Sequence, residues 1–552
     1  MTVQRREFLK ASAALSLGGA CLERGAFGNG DSPTALTIGN KPQLFLDGFV
    51  VETSRGCARA LHLPVKKGLI QEADGAPWDR GGVVSVVRDR AGLFHMYYCL
   101  LYWDASVRDL SPSIGEDKAH WFRIVPCYAV SDDGVRWRKP KLGLVSGPTG
   151  FRPAPKEKWT DGIFEEPVGL STDNNQGCPI ATIQDLQTFG NVSDTDRRFL
   201  VNVIIKDDSH AFAKTTDAGL YFCKEVPDIV GDPDWRKKLT PIWEGVRSGP
   251  RGAHTRVTGF DNRAKEWFEC DQCSFGHIVK DGRQISRWTS KDLLEWSSEQ
   301  IVLSPGDGDS RTPSDHVEYM TISVRHIGGA WLGFLNVFHG DRSDSQGEMP
   351  TRANVWRKGL TELRLIISRN AGRTWQRVAG TQPWLSPHER ENGFDRLIGM
   401  CEAMVRVGDE FWHYYGCWDG DHLAWNKDGT TYYKDRARIW RTGLATLRYN
   451  GFVSLDAAGQ QGEVLTKPML FSGRDLQVNL AAPKGTLRVE IADASGQSIP
   501  GYGAGDCEPL RGDGVSLPVR WRERTDVAGL AGKAARLRFS LNDASLYGFQ
   551  LV

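Results

Sequence analysis

The sequence predicts an all-β protein: a five-bladed β-propeller over residues 40–464, followed by a β-sandwich over residues 465–552. Three observations carry this prediction. The first is a returning turn, built from a small hydroxyl residue, then Asp or Asn, usually Gly, and a closing aromatic. It occurs as Ser131-Asp-Asp-Gly-Val-Arg-Trp137, Thr215-Thr-Asp-Ala-Gly-Leu-Tyr-Phe222, Ser290-Lys-Asp-Leu-Leu-Glu-Trp296 and Ser368-Arg-Asn-Ala-Gly-Arg-Thr-Trp375, with a weaker copy at Asn450-Gly451-Phe452. The closing aromatics stand 85, 74, 79 and 77 residues apart, and a regular period with loose identity marks a repeat architecture. The second is the order of short β-rich runs within each period, with no long stretch of helical periodicity. The third is a change of pattern after about residue 465.

Taken in chain order, Gln4-Arg5-Arg6-Glu7-Phe8-Leu9-Lys10 and the mildly apolar run Ala11–Ala20 resemble a twin-arginine export signal, assigned to residues 1–30. That run is too short to span a membrane, so the expected location is periplasmic or secreted. Gln43–Glu52 is expected to close the ring by joining the last blade. Blade one follows as Val83–Arg88, Leu93–Tyr98 and Cys127–Ser131. Blade four repeats the order as Tyr319–Val324, Trp331–Phe338 and Leu363–Ser368, and blade five as Glu402–Val407, Glu410–Tyr415 and Ile439–Leu444. Small antiparallel sheets arranged radially leave only short, protected edges. Beyond the propeller, Leu487-Arg-Val-Glu-Ile491 and Leu537-Arg-Phe-Ser-Leu541 alternate strictly, as strands of a half-buried sheet do.

Composition bounds the function. With 69 basic against 68 acidic residues the chain has no bulk field for nucleic acid or an anionic membrane. The 11 cysteines include a single Cys270-Asp-Gln-Cys273 with no second pair at zinc spacing, so no metal site and no organic cofactor are expected. The sequence does not give the oligomeric state.

The Asp-containing turns are read as structural, because Asx turns satisfy local backbone N–H groups. Ligands of a propeller meet the starts of the inner strands, where the blades converge. Those places offer Trp78-Asp79-Arg80 in blade one, Asp173-Asn174-Asn175 in blade two, Arg251 and His254 in blade three, Asp315-His316 and Glu318 in blade four, and Glu402 in blade five. Packing alone does not require an acid at four of five equivalent positions. Two carboxylates across an axial pocket are what glycosidic cleavage needs, one as acid and one as base or nucleophile. Trp78, Trp103, Trp418, His422 and His339 are candidates to stack on or bond to sugar rings.

These turns at this period, after Leu44-Phe-Leu-Asp47, resemble those of the five-bladed glycoside hydrolases of families 32, 43 and 68. The ending Gly451-Phe-Val-Ser-Leu-Asp456, with a later Gly-x-x-x-Val-Glu-Ile, is similar to exported bacterial glycosidase-like proteins carrying a C-terminal sandwich. The resemblance covers residues 40–552. It implies a carbohydrate substrate and carries over Asp79 as base or nucleophile, with Asp47 as its rival, and Asp173 as the residue orienting the sugar. The family's blade-three acid has no counterpart, since Arg251 and His254 stand there, so Glu318 or Glu402 is the expected acid. Arg251 also suits the carboxylate or sulfate of an anionic sugar. Three readings stay open: an exported glycoside hydrolase, a non-catalytic carbohydrate-binding propeller, and a polysaccharide lyase using His254 or His339 as base.

Overall fold

The computed structural model describes residues 35–78, 81–103, 122–140, 142, 178, 180–206, 217–246, 257–274, 277, 282–312, 315–341, 359–388, 394–399, 403–418, 441–524 and 526–552. They fall into two compact units. One comprises Pro64–Val407 and Phe411–Thr446, the other Met1–Leu63, Gly408–Glu410 and Leu447–Val552.

The larger unit is a five-bladed propeller. Blade one is Gly82–Arg88, Phe94–Trp103 and Phe122–Ser131, with Arg136–Trp137 pairing in parallel with Gln71–Glu72 at its outer side. Blades two, three and four are four-stranded: Ile180–Asp185 to Thr240–Val246, Gly259–Asp261 to Gln300–Leu303, and Asp315–Ile327 to Gln376–Arg377. Blade five contains Ala403–Val407, Glu410–Trp418 and Arg441–Arg448, and receives its outermost strand from the other end of the unit, Val65–Leu69.

Buried side chains stitch each blade to the next. Val87 and Tyr97 of blade one pack with Ile180 and Val201 of blade two. Leu220 and Phe222 of blade two meet Val257 and Trp267 of blade three. Phe268 and Ile285 pack with Tyr319, Leu335 and Ile366 of blade four. Between blades four and five, Asn336 Nδ2 and Thr361 Oγ1 both donate to the Ile398 carbonyl at 2.7 Å. The ring closes where Val83, Met96 and Tyr98 of blade one join Ala403, Val405 and Tyr414 of blade five in a single apolar cluster.

The returning turn follows from its residues. In the first copy Ser131 Oγ accepts from Gly134 N at 2.8 Å, Asp133 Oδ1 accepts from Val135 N and Arg136 N at 2.8 and 2.7 Å, and Trp137 Nε1 donates to the Gly134 carbonyl at 3.2 Å. Gly134 has φ +74°, where a side chain is strained. The third copy repeats this wiring through Ser290, Asp292 and Trp296. Leu293 occupies the glycine position there at φ 65° and is buried. The described part of the second copy, Asp217–Phe222, is not a turn. Asp217–Cys223 is the third strand of blade two, paired along its length with Phe199–Lys206 and Thr240–Val246. Its alternation of Leu220 and Phe222 against Tyr221 and Cys223 gives each face a buried partner set, and that outweighs the local turn signal.

The second unit is a nine-stranded sheet built from both ends of the described chain. Its long strands Val453–Thr466, Leu476–Asp493 and Ala535–Leu551 pair side by side, with bulges at Ala457/Gln461 and Ala481/Thr486 that bend them. Val51–Arg55 and Ala58–Leu61 both pair with Val453–Thr466. The strands expected at 465–552 are therefore present, but the unit they build also takes in residues 36–61. Gln43–Leu44 pairs with Phe549 and Gly548 instead of joining the last blade. Ring closure falls to Val65–Leu69, whose lysines suit the exposed outer edge of a blade.

Candidate functional site

Of the carboxylates expected at the starts of the inner strands of the propeller, Asp315 and Glu318 of blade four are among the described residues. Asp315–Ile327 begins with Asp315, His316 and Glu318, and alternate residues of a strand face opposite ways. Two separate networks result.

On one face, Glu318 is buried to 1% exposure, with Oε2 receiving Arg283 Nη1 at 2.7 Å and Oε1 lying 3.1 Å from His316 Nε2. Gly282, at φ +85°, lets this loop approach: a Cβ there would come within 3.1 Å of Glu318 Oε1. Burial favours the protonated acid, but the His316 hydrogen bond and the Arg283 charge outweigh it and hold Glu318 down to about 2. Held this way, Glu318 favours the ionised form, which suits an anchor for Arg283 and His316 better than the proton donor expected of it.

On the other face, Asp315 Oδ2 lies 2.7 Å from His339 Nδ1 and accepts from Arg311 N at 2.7 Å. His339 Nε2 faces Glu362 Oε1 at 3.3 Å. Glu362 in turn receives Arg364 Nε at 2.6 Å and is ion-paired to Arg311. Arg364 Nη1 reaches Asp309 Oδ1 at 2.8 Å, and Arg377 Nη2 and Tyr319 OH both donate to Asp309 Oδ2, at 2.6 and 2.8 Å. Burial lowers His339, yet its bonds to Asp315 and Glu362 hold it above 6.5. This is a charge-balanced lattice joining the segment after blade three to all four strands of blade four. His339 has both ring nitrogens engaged inside it and is removed as a sugar contact and as a lyase base.

The remaining described candidates are also structural. Trp78 is fully buried, with Nε1 donating to the Gly81 carbonyl at 3.0 Å, the Tyr98 ring at 5.2 Å and Lys139 Nζ 4.3 Å from its ring. An enclosed indole offers no platform to a sugar. Asp47 lies in the second unit, where Oδ1 accepts from Phe49 N at 3.0 Å as an Asx turn. Trp418 is buried at the end of its strand, paired with Leu397. Asp79, Asp173, Asn174, Asn175, Arg251, His254, Glu402 and His422 lie outside the described residues.

Arg283, Glu362, Arg364 and Asp309 were not singled out from the sequence. For two of them a signal exists: Glu362 and Arg364 alternate with Leu363 and Leu365 in a central strand, and charges buried on one face of such a strand must pair. Among the described residues no group of three or more His, Cys, Asp or Glu is placed to hold a metal, and no helix is long and apolar enough to cross a membrane.

No protein-family model matches the chain, and no curated protein matches it. Among solved structures, an N-acetylgalactosamine deacetylase from F. plautii, in complex with blood group B trisaccharide, is 15% identical with a TM-score of 0.38, covering 70% of this chain and 96% of that one. A β-1,2-mannobiose phosphorylase from Listeria innocua is 12% identical with a TM-score of 0.36, covering 67% and 89%. A glycosyl hydrolase from Bacteroides ovatus is 12% identical with a TM-score of 0.34, covering 70% and 91%. At such values the fold is read from the sheets of this chain alone.

Proposed function

We propose that the chain is a carbohydrate-active enzyme, an exported glycoside hydrolase acting on a poly- or oligosaccharide at the inner-strand starts of the propeller. The observation that carries this reading is the Glu318 constellation: an immobilised carboxylate that orients one guanidinium and one imidazole where the inner strand of blade four begins. Arg283 and His316 side chains keep 15% and 20% of their surface, so they suit the hydroxyl or acidic groups of a sugar. Glu318 is then a positioning residue.

The carboxylate pair falls to Asp79 and Glu402, one donating a proton to the leaving oxygen and the other activating water or attacking the sugar. Asp173, Asn174, Asn175, Arg251, His254 and His422 complete the sugar-binding set. The locked Glu318 also favours the second reading, a non-catalytic carbohydrate-binding propeller, because it takes one of the expected acids out of catalysis.

The test is release of reducing ends from a polysaccharide panel by the purified chain, with Asp79→Asn and Glu402→Gln beside it. Hydrolysis requires turnover that falls at least about 10²-fold in each variant, as loss of a positioned acid or base does. Turnover that survives both substitutions refutes the assignment. Sugar affinity with no turnover selects the binding module.

A further inference from the structure

Between blades four and five a titratable side chain is enclosed with nothing to bond to. His413, on the second strand of blade five, is 2% exposed. Among the described residues neither of its ring nitrogens has a hydrogen-bond partner. Its neighbours are aromatic: the Phe334 ring lies 5.4 Å away, and the Trp384 ring 5.2 Å away at right angles. Phe334 belongs to the second strand of blade four. Trp384 is tied to the same blade through its backbone N–H, which donates to the Leu363 carbonyl at 2.7 Å.

The charged groups around this seam give His413 no counter-ion. Arg325, on the inner strand of blade four, acts on the ring with a charge that opposes a second positive one. Glu362, Arg364 and His339 are bonded to one another on the opposite face of blade four, which Leu335, Val337 and Ile366 pack toward blade three. On its own strand the next residue on the same face is Tyr415, whose OH donates to Asp395 Oδ2 at 3.0 Å. Asp395 is taken up by His388 and by Lys66 Nζ at 2.5 Å.

An enclosed imidazole is tolerated while neutral and is costly once charged, because burial removes the water that would hold the cation. Burial and the Arg325 charge accordingly push His413 down to about 3. Above pH 6.5 the ring is neutral whether the seam is closed or open. Below 6.5 an open seam takes up a proton that the closed seam excludes, so opening gains about tenfold for each pH unit down to about 3.

We propose that His413 is an acid switch built into the propeller: its protonation parts blades four and five and frees the segment Asp395–Ile398. That segment crosses the seam. The Ile398 carbonyl accepts from Asn336 and Thr361 of blade four, while Asp395 accepts from Tyr415 and from Lys66 on the closing strand. Leu397 and Ile398 pair with Trp418 and Cys417 and lead toward the inner strand of blade five. Acid thereby reaches the end of the ring where the inner strands begin, whatever ligand that end takes.

The experiment is hydrogen exchange of the full chain, read by mass spectrometry at pH 7.5 and 5.0 and corrected for the pH dependence of intrinsic exchange. The opening constant over residues 411–417 and 332–337 should rise about 30-fold between the two, from an ordinary histidine value of about 6.5. Other titrations do not imitate this. Glu362, ordinarily 4.5, adds little above pH 5, and the raised His339 opposes opening in acid. His413→Gln keeps a polar side chain that does not titrate, and His413→Phe matches the surrounding rings. In both variants the rise over the seam should shrink to less than about threefold. No rise in the wild type, an equal rise in both variants, or a rise of the same size over Glu266–Gln272 of blade three overturns the proposal.

Discussion

Replacing Glu362 by Gln perturbs the buried lattice of blade four with almost no change of shape. Glu362 is fully buried and faces Arg364, Arg311 and His339. Burial alone would raise its pKa, but the His339 bond and the two arginine charges hold it down to about 2 against an ordinary 4.5. A difference of that size is worth about 3 kcal/mol of folding stability at neutral pH. Breaking a buried ion pair by removing one partner costs about 3–5 kcal/mol, so the two routes agree.

The pH dependence has a definite sign. A depressed carboxyl stabilises fully above its unfolded value, and the contribution disappears as pH falls from about 4.5 through about 2. His339 is the reverse case: its value is raised above 6.5, so its contribution is complete below 6.5 and is lost as pH climbs through the folded value. Urea unfolding of wild type and Glu362→Gln at a series of pH values should show a gap of about 3 kcal/mol at pH 7 that narrows below pH 4.5. A gap within about 0.5 kcal/mol at pH 7, the size of an ordinary surface change, or one that does not vary with pH, refutes the lattice as drawn.

Trp78→Ala should cost about 3–5 kcal/mol in unfolding experiments, as loss of a buried aromatic does; unchanged stability with lost sugar affinity would return Trp78 to the binding surface. Leu293→Gly removes about 1 kcal/mol of left-handed strain and about 3 kcal/mol of buried side chain, so denaturant unfolding should show a net loss near 2 kcal/mol. A gain would mean that strain, not packing, decides at that turn. Asp395→Asn should loosen ring closure. Asp395 is fully buried and accepts from Lys66 Nζ at 2.5 Å and Tyr415 OH at 3.0 Å, and Lys66 sits on the closing strand. Faster amide exchange over 65–69 is the expected readout, and unchanged exchange there would exclude the latch.

The repeat was legible because its turn is local chemistry. A hydroxyl, an Asp and a glycine satisfy backbone N–H groups within seven residues, so the sequence carries the whole instruction. The same locality explains the false copy, whose described residues Asp217–Phe222 sit inside a strand where pairing with two neighbours decides. Ring closure was misplaced for the opposite reason. Gln43–Glu52 and Val65–Leu69 both precede blade one, and which of them joins a strand nearly four hundred residues later depends on contacts that neither segment encodes. The second unit was half legible: its alternating C-terminal strands announced a sheet, while Val51–Arg55 and Ala58–Leu61 carry no mark of the partner they find at Val453–Thr466.

The candidate site was legible by position and not by role. Asp315 and Glu318 looked alike as acids at one strand start, yet they stand three apart on a strand, and a period of two sends them to opposite faces. Each met a different partner set, Arg283 and His316 for one, His339 and Arg311 for the other. Odd spacing on an extended strand therefore separates Asp315 from Glu318 as a catalytic pair. The pair proposed above, Asp79 and Glu402, is instead drawn from blades one and five, whose apolar side chains meet where the ring closes.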